Sequence, residues 1–293
     1  MTKPIRILMQ TTIPFALDDW HIGRFSLLRE ELASLKDEAG NPLYQVTTRN
    51  REVDAAGNDP VLSTLDTSDF QELWLFAIDT GDGLTTVDCE GITRFRQRGG
   101  GIMATRDHQD LGTSLCTLGG IGRAHYFHSK HPEPDPSRCV PDDVDTTSIS
   151  WPNYHSGSNG DYQTIVAESD HELMRSPSGV VKFFPAHPHE GAVGVPEVEK
   201  RARVVAVGRS QTTGRSFNLL VAFETSNDDH GNQLGRGIAD SSFHHFADYN
   251  WNTDMGCPSF LIEPPGDGYK RNPEALNDIK TYVANAARWL AGA

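Results

Sequence analysis

The chain is 293 residues long and 37% hydrophobic, enough to bury one large core or one core with a smaller lobe. Its 40 acidic against 26 basic side chains leave a formal charge of −14, which repels phosphate backbones and anionic lipid surfaces, so neither nucleic acid nor a membrane is an expected partner. No apolar run approaches the ~20 residues that span a bilayer, and the start MTKPIRILMQTT lacks a secretory cleavage pattern, so a cytoplasmic location is expected.

Cys89, Cys116, Cys139 and Cys257 form no CxxC pair, which makes reduced thiols the expectation and argues against a zinc knuckle. The acidity, together with 12 histidines, suits a bound cation, although an acidic surface also serves solubility alone.

In chain order, residues 5–10 are a compact apolar run and predict a first central strand. Asp18-Asp19-Trp20-His21 follow in a loop before a helix on which Ile22, Phe25, Leu28, Leu32 and Leu35 recur at three- and four-residue steps. Either aspartate can cap that helix, yet two acids, an aromatic and a histidine are more than a cap needs. Residues 44–48 predict a second strand, and 50–68 a polar excursion. LWLFAI, residues 73–78, is unbroken in apolarity, as a strand covered on both faces should be. It ends in Asp79-Thr80-Gly81-Asp82-Gly83, whose glycines permit a tight turn with free N–H groups before a helix carrying Leu84, Val87, Ile92 and Phe95.

The stretch GGGIMATRDHQDLG then reads as a buried fourth strand with polar groups at its carboxyl end. Strands alternating with helices imply right-handed crossovers and a mostly parallel sheet. Residues 119–160, rich in Pro, Asp, Ser and His, break this order and read as an irregular insertion anchored by Tyr126, Trp151 and Tyr154, either a lid or a subunit contact. A short helix is expected over 164–174. The runs VVKFFPAHPHEG, ARVVAVGRS, RSFNLLVAFET and GRGIADSSFHHF predict strands, two of them an antiparallel hairpin extending the sheet, and Asn272-Pro273 open a final helix with a Leu276, Ile279, Val283, Ala286, Leu290 stripe. The whole chain, 1–293, reads as one domain.

The glycine-rich fourth strand with its elbow, GGGIMATRDHQDLG, and the late GRGIADSSFHHF resemble the class I glutamine amidotransferase-like superfamily, and within it the ThuA-like, trehalose-utilisation-type branch, chiefly over residues 1–118 and 180–293. The resemblance implies an α/β fold, a flavodoxin-like three-layer αβα sandwich, with a polar pocket over the elbow. Amidotransferases carry cysteine in a G-x-C-x-G elbow, whereas Thr105-Arg106-Asp107-His108 stand here and Cys116 lies too far downstream, so thiolate glutamine hydrolysis is not expected.

Two further clusters carry chemistry. In an extended His187-Pro188-His189-Glu190-Gly191 segment both imidazoles point the same way and can share a divalent metal or a substrate, or serve as hydrogen-bonded structural groups. In Asp240-Ser241-Ser242-Phe243-His244-His245, adjacent histidines on a strand face opposite sides, so at most one enters the pocket. The ThuA-like pattern implies that it is His244. Tyr249-Asn250-Trp251-Asn252 either face a ligand or cover the end of the sheet.

Parallel strands bring such ends together. The resulting expectation is a hydrolase-like enzyme on a small polar substrate, with Asp107 or Glu190 as general base and His108 as acid or orienting group. Asp19, His21, Asp79, Asp82, Arg106 and His244 would bind the substrate, with Arg106 fixing a carboxylate or phosphate or making a structural ion pair. The 79–83 turn would offer N–H groups to developing negative charge. A metal-assisted variant would use His187, His189 and a carboxylate, and a non-catalytic sugar- or nucleotide-binding module is the different-class alternative. A homo-oligomer stays open.

Overall fold

The computed structural model describes residues 3–118, 120–142, 148–168, 170–227, 231 and 233–292. Strands β1 (Ile5–Thr11), β2 (Tyr44–Arg49), β3 (Glu72–Phe76), β4 (Gly101–Thr105), β5 (Val166–Ala167), β6 (Ala202–Arg209), β7 (Ser216–Phe223) and β8 (Gly237–Asp240) form one 8-stranded sheet in the order β2-β1-β3-β4-β8-β7-β6-β5. The first five in that order run parallel, and β7, β6 and β5 continue antiparallel. The hairpin expected beside the sheet is β6–β7. β8 slips between it and β4, a crossover that local patterning does not reveal.

The central strands β3, β4 and β8 are buried at every position because both faces are covered. Ile7, Met9, Trp74, Phe76 and Met103 pack against α1 (Ser26–Ser34) and α3 (Leu276–Leu290), whereas Leu8, Leu73, Leu75, Ile102 and Ala104 pack against α2 (Thr86–Gln97) on the opposite face. Period-two alternation therefore distributes each strand between two cores, which makes the three-layer αβα sandwich. A Cβ on Gly101 would lie 2.5 Å from the Leu290 carbonyl oxygen, so a side chain at the start of β4 would push α3 off the sheet.

Neither Asp18 nor Asp19 caps α1. Asp18 instead accepts the Ser259 N–H at 2.6 Å, Asp19 accepts the Trp20 N–H at 2.7 Å, and the His21 ring accepts the Gly23 N–H at 3.1 Å to cap a 3-10 turn, Ile22–Phe25. The first amides of α1 are met by Asp248, which accepts Ser26 N–H at 3.0 Å and Leu27 N–H at 2.8 Å across 222 and 221 residues. A carboxylate there satisfies orphan donors and complements the positive end of the helix. Among the described residues of 164–174 the expected helix does not form. Strands Tyr162–Thr164 and Val166–Ala167 and a 3-10 turn, Glu172–Met174, occupy that stretch, because pairing with Phe183–Pro185 and with β6 overrides local propensity.

The described part of the 119–160 insertion is irregular, with 3-10 turns and one two-residue strand, His125–Tyr126, paired to Ala192–Val193. Residues 119 and 143–147 of that expectation lie outside the described residues. Among the described residues, no helix is long and apolar enough to cross a membrane.

Candidate functional site

At the carboxyl ends of β1, β3, β4 and β8 lies a cavity of about 540 Å³, walled by Asp107 and His108 after β4, His187 and His189 from the irregular segment, and His244 after β8. This is where a parallel sheet leaves room, since diverging loops replace the ladder. Asp107 is its centre, with only 1% of its surface exposed.

Its Oδ2 accepts the Nδ1–H of His108 at 2.8 Å, and its Oδ1 accepts the Ser242 hydroxyl at 3.3 Å. His187 Nδ1 stands 3.6 Å from Oδ1 and His244 Nε2 stands 3.6 Å from Oδ2. The His187 and His244 rings stack with centroids 3.6 Å apart, and Trp20 meets the His244 ring edge-on at 4.6 Å. One donor atom each from Asp107, His187 and His244 lies within 4.8 Å of the other two. Burial pushes the Asp107 carboxyl up, but His108 beside it, which also donates the hydrogen bond, pulls it down, and the acid lies well below its usual range. His187 goes the other way from an ordinary imidazole: burial, with His244 beside it, holds it well below 6.5 and therefore neutral at pH 7.

Two local features make this geometry. A Cβ on Gly191 would sit 2.6 Å from the Asp107 carbonyl oxygen and 2.8 Å from that of Ser241, so only glycine lets the histidine segment lie against both strand ends. Asn250, in the short helix Asp248–Trp251, accepts the His244 Nδ1–H at 2.9 Å while its amide donates to Asn159 Oδ1 at 2.7 Å. That pairing fixes the ring and leaves its Nε2 lone pair facing Asp107.

Of the residues expected at a site, Asp19, Asp79, Asp82, Asp107, His108, His187, His189 and His244 do line the cavity. Three do not. Glu190 is fully buried beneath it, accepting the Ser156 hydroxyl at 2.8 Å, the Gln163 amide at 2.5 Å and the Ser241 hydroxyl at 2.9 Å, and so is not placed to be a general base there. Arg106 is likewise buried, donating to the carbonyl oxygens of Tyr126 and Gln109 and lying over the Phe127 ring at 4.2 Å, so it holds the turn after β4 together and does not reach an anionic ligand. His21 is spent on its cap.

Asp79 touches the cavity but is occupied: its Oδ1 accepts Gly81 N–H at 2.8 Å and its Oδ2 accepts the Ser114 hydroxyl at 2.8 Å. The Gly81 amide expected to meet developing charge is therefore already taken. His189, expected to share an ion with His187, is outside the three-atom convergence, with its Nε2 4.0 Å from Glu263 Oε1.

Below the cavity is a second network that the sequence does not announce. His244 and His245 diverge because they sit on a 3-10 turn, Phe243–His245, and His245 is fully buried between Asp240, 2.7 Å from Nδ1, and Glu190, 3.2 Å from Nε2. Burial opposes the imidazolium, yet Asp240 and Glu190 outweigh it and push His245 up to about 10. Trp251 Nε1 donates to the His245 carbonyl oxygen at 2.8 Å, so the 249–252 run covers the sheet end and supplies Asn250. Asp248 had no sequence signal beyond its type, and Asn250 only its place in the 249–252 run, since their partners are distant in the chain.

No protein-family model matches the sequence, and no curated protein matches it. Among solved structures, a ThuA-like protein of Parabacteroides merdae matches with TM-score 0.50 at 14% identity, covering 99% of this chain and 90% of that one. The chain shares the fold of that protein. Also similar are the glutaminase domain of Trypanosoma brucei CTPS (TM-score 0.44, 12% identity, 97% of this chain and 94% of that one) and the mmIFT52 N-terminal domain (0.42, 11%, 83% and 88%). In this sandwich the turn after β4 carries Asp107 and His108, with no cysteine at that turn.

Proposed function

We propose that the chain is a hydrolase-type enzyme acting on a small, neutral polar substrate in this cavity, without a cysteine nucleophile. The observation that carries the reading is the pairing of buried Asp107 with half-buried His108, joined at 2.8 Å and opening on a cavity of about 540 Å³. Asp107 holds the Nδ1–H tautomer of His108, so the other ring nitrogen is the base. It takes a proton from water as the water oxygen bonds to the substrate, and the imidazolium then returns that proton to the leaving group as the bond between that group and the substrate breaks, with anionic Asp107 stabilising the charge between the two steps.

Substrate class follows from the wall. Asp19, Asp79, Asp82, Asp107 and Glu263 line the cavity, and no Lys or Arg is among its described lining residues. Such a wall accepts hydrogen bonds from hydroxyl or amine groups and repels phosphate and carboxylate. Trp20 and Phe260 offer ring faces to a substrate's apolar side. The same reading keeps the chain in the cytoplasm with Cys89, Cys139 and Cys257 as free thiols.

The test is a hydrolysis screen of neutral glycosides, esters and amides beside phosphorylated and carboxylated counterparts. Neutral members turn over and anionic ones do not, and His108→Asn lowers kcat by about 10²–10⁴ while the fold is retained. Preference for anionic substrates, no turnover at all, or full activity in His108→Asn would contradict the reading.

A further inference from the structure

Acceptor atoms of three residues face one another in the cavity floor with no hydrogen between them. His244 donates its Nδ1–H to Asn250, whose amide is held the right way round by Asn159 Oδ1 at 2.7 Å, so its Nε2 presents a lone pair to Asp107 Oδ2 at 3.6 Å. His187 Nδ1 also carries a lone pair, met here by the His189 N–H at 3.1 Å, a contact an ion would displace, and it faces Asp107 Oδ1 at 3.6 Å. A separation of 3.6 Å is too long for a hydrogen bond. Two donors each about 2.1 Å from a tetrahedral ion stand about 3.4 Å apart, which is close to both of these separations.

We propose that Asp107, His187 and His244 together bind one divalent transition-metal ion, zinc or a metal of similar preference, with its remaining position open to the cavity. Two imidazoles and one carboxylate, all buried, match the donor chemistry of such ions and not that of magnesium or calcium, which take oxygen ligands. The supporting contacts are those a metal site requires: Asn250 sets the His244 tautomer, while Ser242 and His108 hydrogen-bond the carboxylate. An ion held there would make a nearby water more acidic, with His108 placed to accept its proton. His189 stays out of the shell. The inference rests on the same cavity as the hydrolase reading but is tested without turnover.

The experiment strips the full chain with a chelator and titrates it with cobalt(II) alone. Expected are intense visible d–d bands of a four- or five-coordinate site, saturating at one ion per chain and displaced by zinc(II). His244→Ala abolishes the bands, Asn250→Ala weakens cobalt binding about 10–100-fold, and His189→Ala keeps bands and stoichiometry, with near-UV circular dichroism confirming the fold of each. Should Asn250→Ala unfold, Asp107→Asn, which keeps the carboxylate's shape, takes its place and also loses the bands. The proposal is overturned by an unsaturable six-coordinate spectrum, by bands that survive in His244→Ala, or by their loss in His189→Ala. Saturable binding without any hydrolysis upholds the ion and defeats the hydrolase reading, and hydrolysis without saturable binding does the reverse.

Discussion

Replacing His245 by glutamine removes the one cation from between two buried carboxylates, and the cost can be worked in two ways. The rise of the imidazole from 6.5 to about 10 corresponds to roughly 5 kcal/mol of folding free energy at about 1.4 kcal/mol per pH unit. Breaking a buried ion cluster by removing one member costs about 3–5 kcal/mol by a separate route. Unfolding entropy of ~2.1 cal/mol/K per residue over 293 residues turns that range into a Tm lowered by about 5–8 °C.

The sign of the pH dependence follows from the direction of the rise. Because the folded group binds its proton more tightly than the unfolded one, its stabilisation is complete below pH 6.5 and is lost as pH climbs through about 10. Urea unfolding of the natural chain and of His245→Gln across this span should therefore show a gap that is widest at the acid end and narrows steadily toward pH 10. A gap that stays constant would mean that His245 is neutral in the fold, and the buried charge network would have to be abandoned.

Asp248→Ala should destabilise the chain by about 2–4 kcal/mol in chemical denaturation, since two amides of α1 lose their only cap, and Asp248→Asn by about half as much because one acceptor oxygen remains. Equal stability of all three chains would contradict the cap. Glu72 is fully buried with one oxygen unpartnered and the other taking Trp74 Nε1–H at 2.8 Å, and burial pushes its carboxyl well above 4.5. Its ionisation costs stability as pH rises above that value, so Glu72→Gln should raise Tm by about 2–5 °C at neutral pH, with the gain vanishing in acid. A gain independent of pH would refute this cause.

What the sequence could disclose was periodicity and strand-end chemistry. Apolar runs revealed β1, β3 and β4 because a strand buried on both faces is mostly apolar, and polar residues breaking those runs marked Asp79, Asp107 and His108 as edge groups. His187 and His244 were legible as types beside glycine or serine. Their stacking on each other across Asp107 was not, because it depends on β8 entering between β4 and the hairpin.

The same blindness explains Glu190 and Arg106. A charged residue beside a catalytic-looking motif reads as chemistry, yet here Glu190 turns down to His245 and Arg106 turns back to two carbonyl oxygens, contacts separated by 55, 20 and 3 residues. His189 was paired with His187 on two-residue spacing, while the partner that converges with it lies on another strand end. Asn250 and Asp248 act across 91 and 222 residues, beyond any local pattern.

The most direct measurement is anomalous diffraction at the zinc edge from crystals of the full chain grown with zinc(II). One peak about 2.0–2.2 Å from an Asp107 carboxylate oxygen, an imidazole nitrogen of His187 and Nε2 of His244 is the predicted result. A peak held instead by His187 and His189, or one found only on surface carboxylates, would contradict the convergence on Asp107.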